Sequence, residues 1–285
     1  MTPRTTNGSG GAGDGYQSGY QCHGGGALVM LTVGSLFAGI GGFELGFSRA
    51  GFDIRWQVEI DPFCRTVLAQ HWPDVTRYED VRTVRHLEPV DVICGGFPCQ
   101  DISLAGDGAG LDGARSGLWR DFVRIVGELR PRYVVVENVA ALLVRGMGTV
   151  LGDLAATGYD AEWDCVPTGR PQGHERARVL IVAYPMRPGL SERSSTEQNG
   201  VDAPRIFTGE RPPGILAAVD PLEEWADRPL LGRGVHGISN RVDRLRGLGN
   251  AIVPPIAEWI ARRILAAEGL TATSPATSAT VAGLL

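Results

Sequence analysis

Of the five cysteines in this chain, Cys99 stands where a thiol could meet a ligand. It follows the apolar run Val90-Asp91-Val92-Ile93-Cys94, which reads as a buried strand of a parallel sheet. The break at Gly95-Gly96 then puts Phe97-Pro98-Cys99-Gln100 in a loop at that strand's carboxyl end. Ligands bind at this edge of α/β sheets. An ionised thiol there can act as a nucleophile. Taken alone, it is equally a small buried hydrophobe, because free cysteine is among the most buried residue types.

Three companions follow the order of the chain. Ser35-Leu36-Phe37-Ala38-Gly39-Ile40-Gly41-Gly42-Phe43-Glu44 is an apolar strand running through a glycine-rich turn into a helix. Glycines let backbone approach a ligand, and helix N-terminal amides can face a carboxylate, but any α/β protein can use such glycines for a tight turn. A nucleotide-binding turn of this kind needs an acidic residue about 20 positions on to take the ribose hydroxyls, and Glu59 meets that requirement. On this pattern alone NAD remains open as the ligand. Tyr133-Val134-Val135-Val136-Glu137-Asn138-Val139 is a β-branched strand ending in a carboxylate and an amide, and Arg176 and Arg178 alternate at the mouth of the strand Val179-Leu180-Ile181-Val182-Ala183.

With Gly249-Asn250-Ala251-Ile252-Val253-Pro254, these blocks resemble the ordered motifs of the DNA cytosine-5 methyltransferases, over residues 31–183 and 241–267. The resemblance implies S-adenosylmethionine as cofactor. The Phe37-x-Gly39-x-Gly41-Gly42 turn, including Ile40, is similar to the family's cofactor site, with Glu59 on the ribose and Asp80-Val81 matching its acidic contact to the adenine amino group. Pro98, Leu118, Asn250 and Ala251 complete the implied cofactor set.

Carbon-5 of cytosine is a poor nucleophile until a thiolate adds at carbon-6, which makes it enamine-like. The resemblance makes Cys99 that thiolate and Glu137 the acid facing ring nitrogen three. Arg176 and Arg178 are implied to donate to the cytosine carbonyl. The family usually carries Gln two residues before this arginine pair, whereas His174 stands there and Gln172 lies two further upstream. The glycine-rich stretch 106–114, followed by Arg115-Ser116-Gly117-Leu118-Trp119, is similar to the family's mobile loop, which closes over a base flipped out of the duplex.

The 285 residues allow a full core, and no apolar run approaches the ~20 residues of a membrane span. A soluble, cytoplasmic protein is expected, and the scattered cysteines, with no CxxC pair, argue against a disulfide framework or a zinc site. The net charge of −5 lacks the basic footprint usual in nucleic-acid enzymes. Its distribution is uneven: Arg228, Arg233, Arg241, Arg244 and Arg246 face only Asp243 between residues 228 and 246, a run that is either a solvated face or a phosphate-neutralising one. All 27 basic residues are arginine.

Strands near 32–37, 54–59, 90–94, 133–137 and 179–183 alternate with helices near 42–50, 62–71, 117–129 and 148–157, predicting an α/β fold with a doubly wound, mostly parallel sheet. With the resemblance, this becomes the Rossmann-like methyltransferase fold carrying a small loop-rich recognition lobe. The expected organisation is a disordered extension over 1–29, a catalytic and cofactor-binding domain over 30–183, and a proline-interrupted target-recognition region over 184–240. A C-terminal segment over 241–267, with a helix from Pro255 to Leu265, is expected to return to the catalytic domain, and a disordered tail to cover 268–285. Met30, directly before the first strand, suggests that 1–29 is an upstream extension or a mis-assigned start. The implied partner is double-stranded DNA, bound by a monomer, with a cognate restriction endonuclease as a further partner in a restriction–modification pair. A tRNA cytosine-5 methyltransferase and a catalytically silent DNA-binding protein on the same fold remain the alternatives.

Overall fold

The computed structural model describes residues 30–98, 117–167, 177–186, 206–207 and 252–270. Among them run the strands β1 (Thr32–Leu36), β2 (Asp53–Val58), β3 (Thr76–Tyr78), β4 (Val92–Gly95), β5 (Tyr133–Val139), β6 (Tyr159–Pro167) and β7 (Ala177–Pro185). The helices are α1 (Gly42–Arg49), α2 (Pro62–His71), α3 (Gly117–Leu129), α4 (Leu142–Arg145), α5 (Met147–Ala156) and, in this numbering, α6 (Pro254–Ala267).

The strands form one sheet in the order β3-β2-β1-β4-β5-β7-β6. β3, β2, β1, β4 and β5 are mutually parallel, whereas β7 runs antiparallel to both β5 and β6. The expected doubly wound, mostly parallel sheet is therefore present. β7 reads as a run because it is inserted between two strands and covered on both faces: Val179, Leu180, Ile181, Val182 and Ala183 are fully buried. β6 escaped the sequence reading because Asp160, Glu162 and Asp164 alternate through it. Acidic residues are depleted in strands generally, but they suit a sheet edge.

Alternation along the strands builds two cores. One face sets Leu36, Val58, Ile93, Val134, Val136 and Ile181 against α3 and α5. The opposite face sets Val33, Ile54, Val92, Val135, Leu180 and Val182 against α1 and α6. Helix α3 shows how pattern becomes packing, because Trp119, Phe122, Ile125 and Val126 recur at helical spacing and are its buried residues. Helix α6 starts with two prolines, whose missing N–H groups would have no intrahelical partner there. Its end is tied to β5 where Glu268 accepts from the Tyr133 hydroxyl at 2.7 Å and from the Arg132 guanidinium.

The return of the C-terminal segment to the main sheet is thus direct. Within the segment expected to form a separate lobe, Ile206 and Phe207 are described. Their backbone amides donate to Glu162 of β6, Arg263 Nε donates to the Ile206 carbonyl at 2.8 Å, and Ile206 is fully buried in the α6-side core. Residues 1–29, most of 184–240 and 271–285 lie outside the described residues.

Sheet order reverses direction between β1 and β4, so their carboxyl ends flank a topological switch point, where α/β sheets bind ligands. The Phe37 turn leaves β1 there, and Gly96-Phe97-Pro98 leaves β4 beside it.

Candidate active site

At the end of β1 the chain reverses through Phe37 (φ 55°), Gly39 (φ 58°) and Gly41 (φ 95°). Left-handed backbone suits the two glycines but strains a phenylalanine by about 1–2 kcal/mol. Such strain persists when surroundings over-determine the residue. Here the next amide, Ala38, donates to the Val58 carbonyl at 3.1 Å, and the Phe37 ring stacks on Phe122 with centroids 6.5 Å apart.

Glu59, directly after β2, accepts from the Gly39 amide at 2.7 Å through Oε2 and from the Asp61 amide at 2.8 Å through Oε1. The expected acidic residue is therefore already locked onto the glycine turn. With about four acceptor sites on its two oxygens, the carboxylate keeps capacity for a ligand hydroxyl. Burial raises its carboxyl above the ordinary range, against the pull of those amides. Gly42 opens α1 against the C-terminal segment: a Cβ on it would lie 2.4 Å from the Ile252 carbonyl oxygen.

A cavity of about 560 Å³ opens at this edge. Among its lining residues are Phe37, Asp80, Val81, Pro98 and Leu118, five of the expected cofactor residues from four separate parts of the chain. Its size falls in the range of small-molecule and cofactor sites. Val58 and Ile60, on either side of Glu59, also line it. Ile60 was missed by the sequence reading, although an apolar residue between Glu59 and Asp61 was a signal, and it is 61% exposed. Asp80 is gripped by Arg82 through its backbone amide and guanidinium, which holds the carboxyl below its ordinary range. The lining combines apolar side chains with the carboxylates Glu79, Asp80 and Asp121 and the guanidinium groups of Arg82 and Arg120, a mixture that can take a nucleoside by its apolar face and its polar hydrogens.

Glu137 and Arg178 meet where β5 ends and β7 begins. Arg178 Nε lies 2.6 Å from Glu137 Oε1, with side chains 15% and 9% exposed. Gly96 passes over them so closely that a Cβ would sit 2.9 Å from Glu137 Oε2. The adjoining Asn138, buried, donates from Nδ2 to the Phe97 carbonyl at 3.2 Å and accepts the Val139 amide at 2.8 Å. The strand end Glu137-Asn138 thus holds the segment that leads into Cys99 two residues later. Cys99 itself, Arg176, Asn250 and Ala251 lie outside the described residues, whereas Ile40 is placed within the turn.

A second polar cluster lies beneath the glycine turn. Glu44, in the first turn of α1, is fully buried near Ser35, Gln57 and Cys94; its Oε1 accepts a long 3.4 Å bond from Gln57 Nε2. No well-formed hydrogen bond reaches its Oε2 among the described residues. Desolvation pushes its carboxyl up to about 7. The same burial, with the Glu44 charge, raises the Cys94 thiol well above its ordinary value. Among the described residues no cluster of three or more His, Cys, Asp or Glu side chains could hold a metal, and no helix is long and apolar enough to cross a membrane.

A family model described as C-5 cytosine-specific DNA methylase matches residues 31–204. The chain is 35% identical over 164 residues to the Type II methyltransferase M2.BsuMI of Bacillus subtilis (strain 168), covering 54% of this chain and 42% of that protein. It is 40% identical over 208 residues to the Type II methyltransferase M1.HphI of Haemophilus parahaemolyticus, covering 64% and 55% respectively. The chain spans about half the length of these curated relatives.

Proposed function

Because this chain belongs to the C-5 cytosine-specific DNA methylase family, we propose that it methylates carbon-5 of cytosine in double-stranded DNA, with Cys99 as covalent nucleophile and S-adenosylmethionine in the cavity beside it. One observation carries the reading: in the segment entering Cys99, Gly96 packs against Glu137 of the buried Glu137–Arg178 pair, while Pro98 lines a cavity together with Phe37, Asp80, Val81 and Leu118 of the expected cofactor set.

Phe37, Ile60, Val81, Pro98 and Leu118 would enclose the adenine and exclude water, with Glu59 on the ribose and Asp80 on the adenine amino group. Bound there, S-adenosylmethionine supplies a methyl group made electrophilic by its sulfonium. The target base is inside the stack of a duplex, so it is flipped into the site at a cost of a few kcal/mol.

The Cys99 thiolate then forms a bond to carbon-6, and the displaced electron pair makes carbon-5 nucleophilic. As negative charge builds on the ring, Glu137 in its protonated form gives its proton to ring nitrogen three and takes it back when the thiolate leaves, while Arg178 donates to the carbonyl oxygen; both side chains are held nearly dry, where such interactions are strongest. After methylation, carbon-5 releases its proton to solvent and the electrons of that bond expel the thiolate from carbon-6. The Type II methyltransferase relatives support the reading that a restriction endonuclease of the same recognition site would be the corresponding partner.

The test is a duplex carrying 5-fluorocytosine at the target position, incubated with S-adenosylmethionine. Fluorine permits thiol addition and methyl transfer but cannot leave as a cation, so a denaturation-resistant complex whose cross-linked peptide contains Cys99 is expected. Its absence, on a duplex that is methylated when unfluorinated, refutes the covalent route. Transfer of labelled methyl to tRNA but not to duplex DNA would overturn the substrate assignment.

A further inference from the structure

Four aromatic rings form a continuous run of ring contacts from the cavity wall into the core, two of them stacked and one tilted by 45°. Phe37, on the cavity wall, stacks on Phe122 at 6.5 Å; Phe122 stacks on Trp119 at 5.3 Å; Trp119 packs on Phe97 at 5.0 Å. Phe97, Trp119 and Phe122 are all buried. The stack thus begins at the strained turn after β1 and ends two residues before Cys99.

Trp119 is the centre of this arrangement, and more than packing fixes it. Its indole N–H donates to Asp153 Oδ2 on α5 at 2.9 Å, which sets the rotation of the ring. Charge-assisted bonds of this sort are about twice as strong as neutral ones. Its chain neighbours Gly117 and Leu118 line the cavity, as does Pro98, the neighbour of Phe97. A single helical turn therefore touches the cavity through Leu118 and the nucleophile segment through Trp119. Asn138 grips the Phe97 carbonyl from the other side, so the ring and the backbone of Phe97 have separate anchors.

We propose that Trp119, oriented by Asp153, is a positioning residue that links cofactor occupancy to the placement of the Cys99 thiol. This rests on reading the cavity as the cofactor site and Cys99 as the nucleophile. A ligand pressing on Phe37, Pro98 and Leu118 bears on both ends of the stack and on its middle, and the Trp119–Phe97 contact conveys its presence to the backbone entering Cys99. With reacting atoms, a misplacement of about 1 Å costs on the order of 100-fold in rate, so a modest tilt of Trp119 is enough to matter.

The experiment measures iodoacetamide alkylation of the Cys99 peptide by mass spectrometry, with and without S-adenosylhomocysteine, alongside calorimetric cofactor affinity and thermal melting. In the parent protein, ligand is expected to change the Cys99 rate by about tenfold, a coupling of ordinary allosteric size. Trp119→Phe keeps a ring without the N–H, and Asp153→Ala removes the acceptor. Both should bind ligand within about threefold of the parent while the ligand-dependent change falls below about twofold. Asp153→Asn keeps an acceptor oxygen and should restore the parent ratio.

A purely structural role lowers the melting temperature and leaves the ratio at its parent value. That result in Asp153→Ala, or a parent ratio near one, overturns the proposal, and Asp153→Ala decides should Trp119→Phe fail to fold. Failure of the 5-fluorocytosine trap with this ratio intact would instead count against the covalent chemistry.

Discussion

Arg178 Nε lies 2.6 Å from Glu137 Oε1, an ion pair across the antiparallel strands β5 and β7 in which Arg178 stands opposite Val139, diagonal to the glutamate. Diagonal neighbours on one sheet face are within reach of long side chains. The parallel half of the sheet supplies the carboxylate and the antiparallel insertion supplies its cation. The reversal of β7 is what brings the Arg178 end of that strand to the edge where β5 ends.

Arg178→Ala is expected to lower turnover at least about 100-fold and to destabilise the fold by about 3 kcal/mol, because removing one partner leaves a buried charge uncompensated. Arg178→Lys should recover stability better than turnover, since an ammonium lacks the planar fork. Glu137→Gln keeps the shape and should lose about 100-fold in kcat with cofactor affinity unchanged. Steady-state methylation, calorimetry and melting curves separate these effects.

Cys94→Ala should retain methylation within about twofold, a change typical of a residue outside the chemistry. Burial and the nearby Glu44 push the Cys94 thiol up, away from the thiolate that nucleophilic attack requires. Cys99→Ser, by contrast, should abolish turnover while leaving cofactor binding nearly intact. Loss of activity in a stable, cofactor-binding Cys94→Ala protein would identify the wrong thiol.

Asn138→Ala should lower kcat about tenfold or more with the KM for cofactor little changed, because the Phe97 carbonyl loses its donor and the segment entering Cys99 its second anchor. Asn138→Asp removes the same donor and puts a carboxylate against a carbonyl, so it should fall at least as far. Equal turnover in all three proteins would show that the ring of Phe97 alone suffices.

Glu44 makes stability depend on pH. Its carboxyl is pushed up from an ordinary 4.5 to about 7 in the folded protein, so the folded state holds this proton more tightly than the unfolded chain does. The resulting stability is fully present below pH 4.5 and is lost as pH rises through about 7, by a total of about 3 kcal/mol. Glu44→Gln should remove this component, so that its melting temperature relative to the parent rises between pH 5 and pH 8. An unchanged difference across that range would place the Glu44 proton elsewhere.

Local pattern was enough for much of this protein. The apolar runs of β1, β4, β5 and β7 show in the sequence because a strand covered on both faces is apolar over most of its length. The glycines at 39 and 41 show because few other residues turn through positive φ. The order of the motif blocks points to the family, and with it to the acidic and basic residues of the site. Where β6 lies was not legible, because an edge strand tolerates the acidic alternation that argues against a strand.

Tertiary structure alone decided which residues meet. Glu137 and Arg178 are 41 positions apart in the chain, as are Phe97 and Asn138, and each pair depends on how the strands are ordered and directed. Trp119 likewise meets Phe97 after β4 and Asp153 on α5, and through Phe122 of its own helix the ring contacts extend to Phe37 after β1. A side chain's own chemistry is written in the sequence; what it can touch follows from sheet topology, which burial of both faces selects for the chain as a whole.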